Sequence, residues 1–174
     1  MAILDIITYP DPLLLKPSEP VHDITDEIQT LIEDMAETMF EAPGAGLAAV
    51  QVGVNKRIIV VNTTGHLEEN EEKSWYALIN PEIVEKDGVY ISEEEGCLSV
   101  PDFRATVKRA SRVVVKAMDR KGEPVTMELN GFHAVVLQHE IDHLNGILFI
   151  DHLSVLKRNL YKTKVKKQLK KTAP

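Results

Sequence analysis

Residues 131–144 constrain this chain more than any other segment. Asn130 can cap a helix start and Asn145-Gly146 can close one. Between them Phe132, Val135, Val136, His139 and His143 share one face of the predicted helix, and Ala134, Leu137, Ile141 and Leu144 occupy another. A helix apolar on most sides belongs in the middle of a protein. The two histidines it carries inward need partners, because an unpaired buried polar group is costly. Four residues apart, they stand one above the other on a helix of 3.6 residues per turn and can grip one metal ion. Glu140 sits beside them, placed to take a proton from a water on that metal. HExxH is only moderately specific by itself; the buried setting gives it force.

The third ligand decides the class. The segment continues His143-Leu144-Asn145-Gly146-Ile147-Leu148-Phe149. Metzincin peptidases extend HExxH to HExxHxxGxxH; here Phe149 stands at the last histidine and cannot coordinate, and His152 is off the spacing. Asp151 is the only acidic residue after His143, so no distant downstream glutamate is available. The lone cysteine, Cys97, remains, in Glu94-Glu95-Gly96-Cys97-Leu98-Ser99. It has three readings: a small buried thiol, a thiolate ligand suited to zinc or ferrous iron, or a nucleophile with a histidine as base. Gly96 before it permits close backbone approach.

The 174 residues are expected to form one domain spanning 1–174. No run approaches the roughly 20 apolar residues of a membrane span, and Met1–Asp5 lacks the pattern of a signal peptide. A single cysteine excludes an internal disulfide and fits a reducing cytosol. The net charge of −7 is unevenly spread: eight basic and no acidic residues follow Leu153, leaving 12 basic against 27 acidic residues elsewhere, a balance of −15. The basic tail reads either as a solvated terminal helix or as a contact for a polyanion.

Around the central helix, residues 25–41 predict another, capped by Thr25, with Asp26 and Glu27 in its first turn and Ile28, Leu31, Ile32, Met35 and Met39 as its apolar stripe. Strands are expected at Arg57–Val61, Tyr76–Ile79, Val113–Met118 and through the alternating Val125, Met127 and Leu129, with turns at Asp87-Gly88 and Lys121-Gly122. His66–Glu72 reads as an exposed acidic loop. Residues 154–171 predict a last helix, with Leu156, Leu160 and Leu169 too sparse for strong amphipathicity. The expected class is α+β: antiparallel strands around a central metal-binding helix, with an N-terminal and a C-terminal helix.

A third constellation is Gly44-Ala45-Gly46-Leu47-Ala48-Ala49-Val50-Gln51. Alone it reads as a tight turn, matching neither a P-loop nor a dinucleotide fingerprint, and Gln51 alone reads as a surface amide. In order, however, GxGLAAxQ, EGCLS and QHEIDHLNG resemble the three signature motifs of peptide deformylases. The Leu4–Pro12 opening and the chain length fit too, and the basic C-terminal helix is similar to the form of the family that ends in a helix (residues 154–174).

The resemblance implies removal of the formyl group from the initiator formylmethionine of new chains, releasing formate in the cytoplasm. It implies that Cys97, His139 and His143 bind one divalent metal, commonly ferrous iron, with zinc and nickel also able to bind, and that a water occupies the fourth position. Glu140 would carry the proton, and the Gln51 amide and the Leu98 backbone N–H would meet the charge on the formyl oxygen. An extended peptide would pair with backbone near Gly46 and Gly96. Phe132, Val135 and Val136 are candidate walls for the methionine pocket, against ordinary core as the alternative. Arg104 stands near the expected substrate entrance. Ala45, Val50 and Glu93 depart from residues usual in the family, which puts pocket contacts at Glu93 in doubt.

Two other readings share parts of this pattern. A zincin-like peptidase would use HExxH on internal peptide bonds. A metal-stabilised binding module, docking a ribosome through the basic tail, would need no Glu140.

Overall fold

The computed structural model describes residues 2–64 and 73–172; the predicted acidic loop at 66–72 lies outside the described residues. Seven strands and three α-helices are described: α1 (Asp26–Glu41), β1 (Gly46–Ala48), β2 (Ile58–Asn62), β3 (Trp75–Asp87), β4 (Tyr90–Cys97), β5 (Val100–Arg109), β6 (Arg112–Met118), β7 (Pro124–Asn130), α2 (Gly131–Leu144) and α3 (Val155–Thr172). The strands form a five-stranded sheet in the order β1-β2-β3-β6-β7 and a separate β4-β5 ribbon. Every strand pairing is antiparallel. The expected α+β class holds.

The run Ile58-Ile59-Val60-Val61 shows why α2 is central. Its side chains alternate across the sheet: Ile59 and Val61 pack with Val113, Val115 and the α2 residues Ala134, Leu137, Ile141 and Leu144. Ile58 and Val60 pack on the other face with Ile32, Met35 and Met39 of α1. A strand covered on both faces reads as continuously apolar. The far side of α2 meets the β4-β5 ribbon, which builds its own cluster with Leu14, Phe149, Tyr161 and Val165.

Thr25 caps α1 as expected, its hydroxyl accepting from Ile28 N at 3.3 Å. Asn130 occupies the N-cap of α2, but its side chain makes no capping bond. The helix ends as predicted: Gly146 adopts φ +74°, its N–H donates to His143 O at 3.1 Å, and Ile147 N donates to Asp142 O at 2.9 Å. These two bonds close the last carbonyls around a left-handed residue.

Five elements differ from expectation: β4 and β5 are strands where none was expected, and three others depart as follows. The strand at Tyr76–Ile79 runs on to Asp87, passing Pro81 at a register shift between Ile79 and Glu82; a bulge tolerates the missing donor. Gly46–Ala48 is a strand rather than a turn. In α3 the leucines Leu156, Leu160 and Leu169 are exposed, and Tyr161 and Val165, one turn apart, make the inward contact.

Candidate metal centre and substrate groove

The fold brings Cys97, at the end of β4, to His139 and His143 on α2. Cys97 Sγ lies 3.3 Å from His143 Nε2, and the two Nε2 atoms lie 3.3 Å apart. All three candidate ligand atoms fall within 4.8 Å of one another. Typical metal–nitrogen bonds of about 2.0–2.1 Å and metal–sulfur bonds of about 2.3 Å place tetrahedral donors roughly 3.3–3.6 Å apart. The donor set and its spacing therefore fit one ion. Burial lowers the His143 pKa well below its ordinary value, which favours the neutral, ligating imidazole.

His139 is held from behind. Its Nδ1 lies 2.8 Å from Glu95 Oε1, an arrangement that fixes the ring and turns Nε2 toward the cluster. Glu95 also pairs with both the Nε and Nη2 of the buried Arg109. Arg109 Nη1 donates to Asp142 Oδ2 at 2.8 Å, and Asp142 Oδ2 lies 2.8 Å from His152 Nε2. Burial works to raise the Glu95 pKa, but its hydrogen bonds with His139 and Arg109 prevail and hold it at about 2. The Asp142 carboxyl is lowered in the same way, its bonds to His152 and Arg109 outweighing burial. The sequence reading gave no role to Glu95, Arg109, Asp142 or His152. The available signal was Glu95 two residues before the cysteine, a carboxylate carried toward the interior on the same strand.

Glu140 is 3% exposed, with Oε1 3.8 Å from His139 Nε2 and Oε2 without a hydrogen-bond partner. Burial chiefly, with the Glu95 and Asp142 carboxylates adding, raises its pKa to about 7. Gly46 makes room for it: a Cβ there would stand 2.8 Å from Glu140 Cγ.

Gln51 is no surface amide; it is 1% exposed, inside the short 3-10 helix Ala49–Val52. Its Oε1 accepts from Ala48 N at 3.0 Å, and its Nε2 donates to Ser99 Oγ at 3.1 Å and faces Cys97 Sγ at 3.6 Å. The N-terminal segment ties these motifs together, Ile7 N donating to Gln51 O and Tyr9 N to Ser99 O, each at 2.8 Å. Leu98 lies in the two-residue connection between the Cys97–Val100 pair of β4 and β5.

A groove of about 870 Å³ opens onto this corner, lined by Gly46, Gly96, Arg104, Phe132, Val135 and Val136 among others. Val135 and Val136 are buried, whereas Phe132 is 59% exposed at the rim. Arg104 crosses Gly96 and donates from Nη1 to Glu94 O at 3.3 Å. Phe149, at the position where a metzincin would place a histidine, stacks on the His139 ring with centroids 6.3 Å apart.

An HExxH helix meeting one cysteine from a separate β-ribbon, beside a buried carboxylate and an open groove, is an arrangement suited to a metal-dependent hydrolase. The family model "Polypeptide deformylase" matches residues 3–159. A peptide deformylase of Desulfotalea psychrophila is 53% identical over 96% of this chain and 97% of its own length. One of Syntrophobacter fumaroxidans is 50% identical over 98% of each. A crystal structure of a peptide deformylase from Legionella pneumophila superposes with a TM-score of 0.86 at 45% identity, covering 99% of this chain and all of that one. The Ehrlichia chaffeensis peptide deformylase in complex with actinonin gives 0.87 at 43% identity, with 97% and 98% covered. The chain belongs to the peptide deformylase family. It is an enzyme that hydrolyses the N-formyl group from the formylmethionine of newly synthesised polypeptides, releasing formate. No helix among the described residues is long and apolar enough to cross a membrane.

Proposed function

We propose that Cys97, His139 and His143 hold one divalent metal, ferrous iron in the native enzyme with zinc or nickel able to replace it, and that residues 1–174 act as one catalytic domain in the cytoplasm. The observation that carries the metal site is that Cys97 Sγ and His139 Nε2 each lie 3.3 Å from His143 Nε2, with all three candidate ligand atoms within 4.8 Å of one another. One thiolate with two imidazoles suits iron or zinc. A bound metal supplies Lewis acidity, acidifying a water and polarising the formyl oxygen.

The chain's own residues do the rest. Glu140, buried with Oε2 unpartnered, takes the proton of the attacking water and delivers it to the departing amine. Gln51 Nε2, fixed through Oε1 and Ser99, offers an N–H to the formyl oxygen together with the Leu98 backbone N–H. Removing one such donor typically slows turnover by about 10²–10³.

Among the described residues β1 pairs only with β2, and β4 only with β5. Both open edges line the groove, so an extended peptide can pair with backbone near Gly46 and Gly96. The methionine side chain then rests on Phe132, Val135 and Val136, with Arg104 at the entrance. For α3 the reading is salt-sensitive contact with ribosomal RNA through its basic side chains. Reversing the exposed Lys164, Lys167 and Lys171 to glutamate should abolish salt-sensitive co-sedimentation with ribosomes; unchanged co-sedimentation overturns that contact.

Formate release from formyl-Met-Ala-Ser tests the whole reading, with loss in Glu140→Ala expected. Cleavage of internal bonds in unformylated peptides would favour the zincin-like peptidase instead. Metal content without either activity would favour the binding module.

A further inference from the structure

We infer that His152 is a positioning residue for the metal centre: through Asp142 and Arg109 it holds Glu95 against His139 and so steadies that ring. This rests on the metal site proposed above and deepens it.

His152 ends the short 3-10 helix Phe149–His152, which follows α2 after the turn at Gly146. Its side chain is 36% exposed, the least buried member of the network. The ring nonetheless points its Nε2 inward, 2.8 Å from Asp142 Oδ2. Asp142, kept ionised by its lowered pKa, can only accept, so Nε2 carries the hydrogen and His152 donates. The 3.4 Å approach of Arg109 Nη1 to the same nitrogen is then two donors meeting around one oxygen, not a further bond. No other side-chain hydrogen bond of His152 occurs among the described residues, so this is the bond that a substitution there removes.

Asp142 Oδ2 thus accepts from two sides, from Arg109 Nη1 and from His152 Nε2, each at 2.8 Å. Arg109 carries the arrangement inward. Its Nε and Nη2 hold Glu95, and Glu95 Oε1 lies 2.8 Å from His139 Nδ1. A guanidinium is a planar, rigid fork, so a shift of Asp142 tilts the fork and moves Glu95 with it. Asp142 also sits on α2 one residue before His143, so His152 braces the ligand-bearing helix itself. The same short helix touches His139 a second time, where Phe149 stacks on its ring. The segment after α2 therefore grips one candidate ligand in two ways, by an aromatic face and by a hydrogen-bonded chain.

The test loads wild type, His152→Ala and His152→Gln with cobalt and follows its release to a chromogenic chelator. The visible cobalt spectrum, and kcat and KM for formyl-Met-Ala-Ser, are read on the same samples. Alanine removes the donor, whereas glutamine keeps an N–H at about the reach of Nε2. His152 stands further out than Glu95, so His152→Ala should speed release by about threefold to tenfold, less than loss of a direct partner. It should also shift the cobalt bands and lower kcat with KM unchanged, and His152→Gln should restore all three. In Glu95→Gln the chain is already cut, so adding His152→Ala should change release by less than about twofold. Wild-type release and spectrum in His152→Ala, a defect that His152→Gln leaves unrepaired, or an effect undiminished in Glu95→Gln each overturns the positioning role. Should circular dichroism show His152→Ala unfolded, His152→Asn, whose amide stops short of Asp142, takes its place in every comparison. A wild type that retains no cobalt instead overturns the metal site beneath the proposal.

Discussion

His139 Nδ1 and Glu95 Oε1 lie 2.8 Å apart, joining the central helix to the ribbon that carries Cys97. One carboxylate thus ties two of the three candidate ligands to each other's scaffolds. Loss of such a partner typically weakens metal binding by about 10–100-fold. Glu95→Gln should therefore release its metal faster to a chelator by that order, measured by the absorbance of a chromogenic competitor. An unchanged release rate would show that Glu95 serves stability alone.

The same network sets how stability varies with pH. Glu95 and Asp142 have folded-state pKa values below their ordinary ones. The stability they confer is complete above the unfolded values near 4 to 4.5 and is lost as pH falls through them toward about 2. Urea denaturation between pH 7 and 2.5 should show the wild type losing stability more steeply than Glu95→Gln across that window. Arg109→Met, which leaves two carboxylates facing each other without a cation, should cost about 3–5 kcal/mol at pH 7.

Glu140 shows the opposite sign. Burial raises its pKa to about 7, so the metal-free fold is disfavoured as pH rises from 4.5 through 7 and the buried carboxyl must ionise. Glu140→Gln should abolish deformylation, by at least about 10², and yet raise the melting temperature of the metal-free protein above pH 7. Calorimetry of the two apo-proteins at pH 6 and 8 checks this; a gap that narrows with pH contradicts it.

Gly46 is defined by what it leaves room for. An alanine Cβ would meet Glu140 Cγ at 2.8 Å, and Glu140 is too enclosed to yield freely. Gly46→Ala should lower kcat by about tenfold to a hundredfold through displacement of the carboxylate, with metal content unchanged by elemental analysis.

Four of the five strands of the main sheet, and the helices, were legible because burial leaves a periodic signature. The apolar stripe of residues 28–39 and the Thr25 cap announce α1, and Ile58–Val61 announces a strand covered on both faces. The ribbon was not legible. In β4 the run Glu93-Glu94-Glu95 looks solvated throughout, and a register shift breaks its alternation, so the one mark of an inward Glu95 is its place two residues before Cys97. For the site, spacing alone paired His139 with His143; bringing Cys97 to them needed the long-range packing of β4 on α2. Gln51 read as exposed because its burial depends on a short helical turn whose start is held by its own side chain. Arg109, 14 residues from Glu95, and His152, 10 residues from Asp142, carry no local mark at all.

X-ray absorption at the metal edge of anaerobically purified enzyme addresses the centre most directly. One sulfur near 2.3 Å with two imidazole nitrogens and one further light scatterer near 2.1 Å is the predicted shell. A shell without sulfur, or one filled entirely by protein ligands, would contradict the assignment of Cys97, His139 and His143 to one open metal site.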